Sequence, residues 1–110
     1  MANRHRGEIS AELGGKSYTL CLTLGALAEI EDAYGGEDLI AIAERFEKGR
    51  IGASDAIRVI GAGLRGGGNP VSNDEVAAMT VAGGAAGYLG IVVQLLKATF
   101  EPPEKNAGNG

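Results

Sequence analysis

The sequence predicts an α+β fold that is mainly α: an N-terminal β-hairpin followed by four to five short helices in a small single domain. Three observations predict it. Glu8 to Thr23 alternates apolar with polar residues on either side of Gly14-Gly15. From Leu24 the apolar period changes from two to about 3.6. Glycine pairs and capping residues then cut the rest of the chain into helix-length pieces.

The hairpin comes with a register. Ile9, Ala11 and Leu13 alternate with Glu8, Ser10 and Glu12, and Tyr18, Leu20 and Leu22 alternate with Ser17, Thr19 and Cys21. Gly-Gly suits a two-residue turn because both central residues can take positive φ. That turn pairs Leu13 with Lys16, Ala11 with Tyr18, and Ile9 with Leu20. All three pairs fall on one face, so turn and pattern agree. A lone hairpin is marginal in water, so this face must lie on the helices or on another chain.

The helices follow in order. Leu24, Leu27, Ala28 and Ile30 form a stripe that continues to Tyr34, with Thr23 as N-cap and Gly35-Gly36 as the stop. Leu39, Ile42, Ala43 and Phe46 form a second stripe. Glu37 and Asp38 stand at its positive end, and Gly49 ends it. A third helix runs from about Ser54 to Leu64 on Ile57, Ile60 and Leu64. Ser72 with Glu75 reads as a capping box for a fourth, whose apolar side is Val76, Met79 and Thr80. Gly83-Gly84 breaks or kinks the chain. The last helix carries Tyr88, Ile91, Val92, Leu95, Leu96 and Thr99, and Pro102-Pro103 terminates it. The expected organisation is one domain over residues 1–110. The hairpin spans about 8–23, the helical part about 24–100, and a disordered tail about 101–110.

Composition bounds the function. Apolar residues make up 45% of the chain and aromatics 5%, with no Trp, so the core is aliphatic. A net charge of −4 disfavours a nucleic-acid surface, which needs a clustered basic face. Arg4, His5 and Arg6 make a small basic patch, expected to be a solvated start. Cys21 has no second cysteine to pair with, which points to a reducing compartment. No apolar run approaches a membrane span, and the polar Met1–Ser10 does not read as a signal peptide. A cytoplasmic protein is expected.

Catalytic chemistry is not legible. Gly61, Gly63 and Gly66 fit G-x-G-x-x-G, but Gly67, Gly68, Asn69 and Pro70 follow where a phosphate-binding helix should open. The expected reading is a glycine-softened helix end followed by a loop. His5 has no ordering partner, and Cys21 reads as a small filler in a strand. Glu29, Glu31 and Asp32 read as a solvated face. Glu44 and Lys48 are an i, i+4 pair of favourable order. Arg58 and Arg65 share a helix flank, open to an acidic partner or simply to solvent. No catalytic residue, cofactor or metal is expected, and the chain is not expected to be an enzyme.

The last helix is the interaction candidate. Its columns Tyr88-Ile91-Leu95 and Val92-Leu96-Thr99 give a broad apolar face, which is either core or a protein-binding surface. Gly84, Gly87 and Gly90 thin one side and would allow close backbone approach. Each interior glycine also costs about 1 kcal/mol against alanine, so the helix is expected to gain from a partner.

Several segments also resemble a known family. They are Arg4-His5-Arg6-Gly7-Glu8, Tyr18-Thr19-Leu20, Leu22-Thr23-Leu24-Gly25-Ala26-Leu27-Ala28-Glu29-Ile30-Glu31, and Ile60-Gly61-Ala62-Gly63-Leu64-Arg65-Gly66-Gly67-Gly68. With the hairpin-then-helices layout, they resemble the small tail assembly chaperones of gene transfer agents and siphophage-like tail modules. The resemblance covers roughly Asn3 to Phe100, and Leu22–Glu29 is its most specific part.

The resemblance implies a non-catalytic protein encoded between the tail tube protein and the tape-measure protein. Such a protein binds the apolar, helical tape measure, promotes tube assembly around it, and leaves before the particle is complete. It implies a bacterial cytoplasm, with the tape-measure and tail tube proteins as partners. A homo-oligomer or a second chaperone from an adjacent gene stays open. Neither nucleic acid nor membrane is expected as a partner. The binding face assigned here to Tyr88, Ile91, Val92, Leu95 and Leu96 is a reading of the residues, not of the family. The alternative role is a structural tail or neck component retained in the particle. A nucleotide-binding enzyme and a helix-turn-helix regulator fit less well, the latter for want of a basic recognition helix.

Overall fold

A computed structural model describes Asn3 and residues 6–100. Arg4, His5 and the expected tail from Glu101, with Pro102-Pro103, lie outside the described residues. The elements run β1 (Glu8–Leu13), β2 (Lys16–Cys21), α1 (Leu24–Ala33), α2 (Leu39–Glu47), α3 (Ala53–Gly66), α4 (Asn73–Ala77) and α5 (Gly84–Phe100).

The hairpin has the expected register, with Leu13 opposite Lys16, Ala11 opposite Tyr18, and Ile9 opposite Leu20. Gly14 and Gly15 turn it at φ 61° and 83°, which a side chain would strain. The Gly14 N–H donates to the Thr80 carbonyl at 2.8 Å, fastening the turn to the segment after α4. Ile9, Leu13 and Leu20 go into the core, while Ser10 and Glu12 stay exposed.

The starts of α1, α2 and α4 are capped by side chains. Thr23 Oγ accepts from the Ala26 N–H, and the Asp38 carboxylate accepts from the Ile40 N–H. Ser72 and Glu75 close a reciprocal capping box. At α3 the N-cap is Gly52, which has no side chain, and Asp55 reaches back to its N–H at 2.7 Å.

The central element is α3, which packs on β2, α1, α4 and α5. Val59, Ile60 and Leu64 fill the middle of the core, joined by Leu95 and Val92 from α5 and Ile42 and Phe46 from α2. Apart from Phe46, the buried hydrophobic residues are aliphatic. The glycines of α3 set its packing distance. A Cβ at Gly66 would meet the Cys21 carbonyl, and one at Gly67 the Thr19 carbonyl. The end of α3 therefore rests directly on the backbone of β2. Asn69 completes this junction by donating its side-chain amide to the Thr19 carbonyl at 2.8 Å and the Leu64 carbonyl at 3.2 Å.

Three expectations change. Leu24 is 86% exposed instead of facing the core, and Ala28 is exposed too. The inward positions of α1 are Ala26 and Ile30, and two residues of helix turn Leu24 about 200° away from Ala26. α3 continues two residues past Leu64, to Gly66. α4 ends at Ala77, so Met79 and Thr80 both lie beyond it: Met79 still packs against the core, while Thr80 is exposed and serves the hairpin turn through its carbonyl.

Candidate protein-interaction surface

α5 is apolar around more than half of its circumference, and one of its apolar faces stays exposed. Val92 and Leu95 are fully buried and Ile91 nearly so, all in the core against α3 and the hairpin. A Cβ on Gly63 would lie 2.6 Å from Leu95 Cδ2, so the two helices touch closely there. Ile91, Val92 and Leu95 are therefore not accessible to a partner in this fold. Tyr88 and Leu96 are half-buried at the edges of that face. The Tyr88 hydroxyl donates to the Met79 carbonyl at 2.5 Å, which holds the segment after α4 against α5.

The open face is a third column. Leu89 and Val93 are each 40% exposed and Phe100 is 42% exposed, with half-buried Leu96 between them. Their spacing of four, three and four residues is that of a coiled-coil seam. The two columns legible in the sequence hold the buried Ile91, Val92 and Leu95, with Tyr88, Leu96 and Thr99 at the edge. The signal for the third, Leu89-Val93-Leu96-Phe100, was present in the same letters.

A concavity flanks each half of the column. One, of about 290 Å³, opens between α3, α4 and α5 and is lined by Ile51, Ala56, Ile57, Val76, Tyr88 and Leu89. The other, of about 320 Å³, opens between α2 and α5 and is lined by Ile40, Ala43, Phe46, Val93, Leu96 and Phe100. Leu89 and Val93 are one turn apart and so join the two. Ile40 is 61% exposed at the mouth of the second. Glu44 and Glu47 stand on its α2 wall and Lys97 on its α5 wall. None of the three makes an ion pair among the described residues, and the expected Glu44–Lys48 pair is not closed.

The glycines of α5 do less than expected. Only Gly87 is closely approached, by Ala82 and Val81 of the chain's own preceding turn. A Cβ at Gly84 or Gly90 would meet open space.

Elsewhere several ionisable groups are engaged in holding the fold. Arg65 pairs with Glu29 and donates to the Val71 carbonyl at 2.8 Å. Arg58 and Arg45 lie over the Tyr34 ring, 5.3 and 5.4 Å from its centroid, and Arg45 also pairs with Glu37 at 2.9 Å. The Tyr34 hydroxyl donates to Asp55. Burial, and then this bond to a carboxylate, push its pKa up to about 12. Burial and the nearby Glu8 charge also raise the Cys21 thiol, which makes it a poor nucleophile. Gly61, Gly63 and Gly66 lie inside α3, not in a strand-to-helix turn, so they frame no phosphate cradle. Among the described residues there is no cluster of His, Cys, Asp and Glu that could hold a metal ion. Nor is any helix among them long and apolar enough to cross a membrane.

Residues 6–102 match the family described as phage tail tube protein, GTA-gp10. The chain belongs to that family. The match spans every element from β1 to α5, so the hairpin and the α5 surface are both parts of the family's domain. It relates the chain to gene transfer agents and phage tails, as the sequence resemblance implied. No curated protein and no solved structure matches the chain.

Proposed function

We propose that this member of the gene-transfer-agent tail family is a tail assembly chaperone. It binds the tape-measure protein, promotes polymerisation of the tail tube around it, and performs no catalysis. The observation that carries this reading is the outward column Leu89-Val93-Leu96-Phe100, open between two apolar concavities. A surface helix that is apolar on its outer side as well as its inner side calls for a second helix to cover it. Helix-in-groove recognition uses such a surface. A modest apolar contact also suits a chaperone, because tube subunits must be able to displace it. The net charge of −4 favours solubility of a coated client. The site of action is the bacterial cytoplasm, where tails assemble.

The test is co-expression with the neighbouring tape-measure and tail tube proteins. A soluble complex with the tape measure, otherwise aggregated, supports the chaperone. Folded protein that co-purifies with neither removes it.

A second reading is favoured by the family's description as a tail tube protein. The chain would then be a structural tail component retained in the particle. Purified particles separate the two: fixed stoichiometry in finished tails supports the structural role, and absence supports the chaperone.

A further inference from the structure

We propose that the groove between α2 and α5 receives an amphipathic helix of another protein that has heptad-spaced apolar residues and carries Lys or Arg along the flank facing α2. This rests on the client-binding reading above and adds the charge pattern of the client.

Three observations lead there. The first is spacing. Leu89, Val93, Leu96 and Phe100 repeat as the a and d positions of a heptad, and such a seam is complementary to another helix with the same repeat. The second is charge. Glu44 and Glu47 line the α2 wall of the groove, exposed and without an ion pair among the described residues. Lys97 stands on the opposite wall. Cationic side chains on one flank of the client would meet the two carboxylates, whereas an acidic flank would be repelled there.

The third is area. The exposed parts of Ile40, Leu89, Val93 and Phe100, with Leu96, amount to roughly 400 Å², against about 800 Å² per partner in a stable interface. That is too little for this face alone to hold a symmetric pair of these chains. It suits a weak, displaceable contact with a client helix. The chain's own C-terminal segment is a poor occupant, since residues 101–110 contain no Leu, Ile, Val, Phe or Met.

The probes are two helical peptides of about four heptads with the same Leu seam. One carries Lys on one flank and Glu on the other; the second carries Gln on both. Binding to the full chain is followed by fluorescence anisotropy at low and high salt. The expected result is that the charged peptide binds about tenfold tighter at low salt, and that the advantage shrinks as salt rises. Glu44→Lys with Glu47→Lys removes the advantage, while Val93→Asp weakens both peptides.

Equal binding of the two peptides, or an unchanged preference in the double Lys variant, overturns the charge proposal. If Val93→Asp still weakens binding in that case, the client-binding reading survives. If Val93→Asp binds both peptides like the wild type, the groove is not the client site and both fall. A dimer of the free protein that dissociates on Val93→Asp assigns the face to a second copy and likewise overturns the proposal.

Discussion

A methyl group on Gly66 would meet the carbonyl oxygen of Cys21, so the last turn of α3 lies directly on the backbone of β2. The glycine-rich run that resembles a nucleotide fingerprint is instead a packing surface. Its glycines let a helix approach a strand more closely than any side chain allows.

That relationship separates two kinds of glycine. Gly66→Ala should destabilise by about 1–3 kcal/mol, because the obstacle is backbone and cannot rotate away. Gly90→Ala meets open space in a helix and should stabilise by about 0.5–1 kcal/mol. Urea denaturation of both variants checks the pair. Equal effects would remove the packing argument.

α5 offers a second contrast. The sequence leaves Leu95 either on a binding face, where Leu95→Glu would abolish client binding with helicity intact, or in the core, where it would unfold the chain. With Leu95 fully buried, a charge there has no water and no partner, and the variant should instead lose its cooperative fold. Val93→Asp should change stability by less than about 1 kcal/mol, because its site is open. Circular dichroism and thermal melts of the two decide it.

The Tyr34–Asp55 contact gives a pH dependence with a definite sign. The Tyr34 pKa is raised from 10.0 to about 12, so the folded state favours the protonated phenol. Its stabilisation is complete below pH 10 and is lost as pH rises through about 12. The stability difference between wild type and Tyr34→Phe should stay constant up to pH 10 and narrow above it. A difference independent of pH across that window would exclude the linkage.

The cap of α4 is also testable. The helix is five residues long, so it depends on its ends. Ser72→Ala should cost about 1 kcal/mol and loosen the Val76 contact with the core. Amide exchange of residues 73–79 should accelerate ahead of that of α3.

Much of this protein was legible in its letters because local rules decide it. The hairpin register follows from Gly14-Gly15 and period-two alternation. The α1, α2 and α4 starts follow from Thr23, Asp38 and Ser72, whose side chains cap within three residues. The phase of α1 was not legible. Leu24 and Ala26 lie in the same turn, and hydrophobicity alone chooses the larger residue. Close packing against α3 leaves room for the smaller one, and Ala26 lies within reach of the Gly66 position.

By itself, then, the sequence determined the element order, the turn, the caps and the family resemblance, because each depends on neighbours within a few residues. Only the tertiary structure decided which side of α5 is core. Its apolar residues spread over more than half a turn, and periodicity cannot say which part of such an arc faces inward. The positions of α3 and the hairpin decide it: Leu95 and Val92 go in, and Leu89, Val93 and Phe100 stay out.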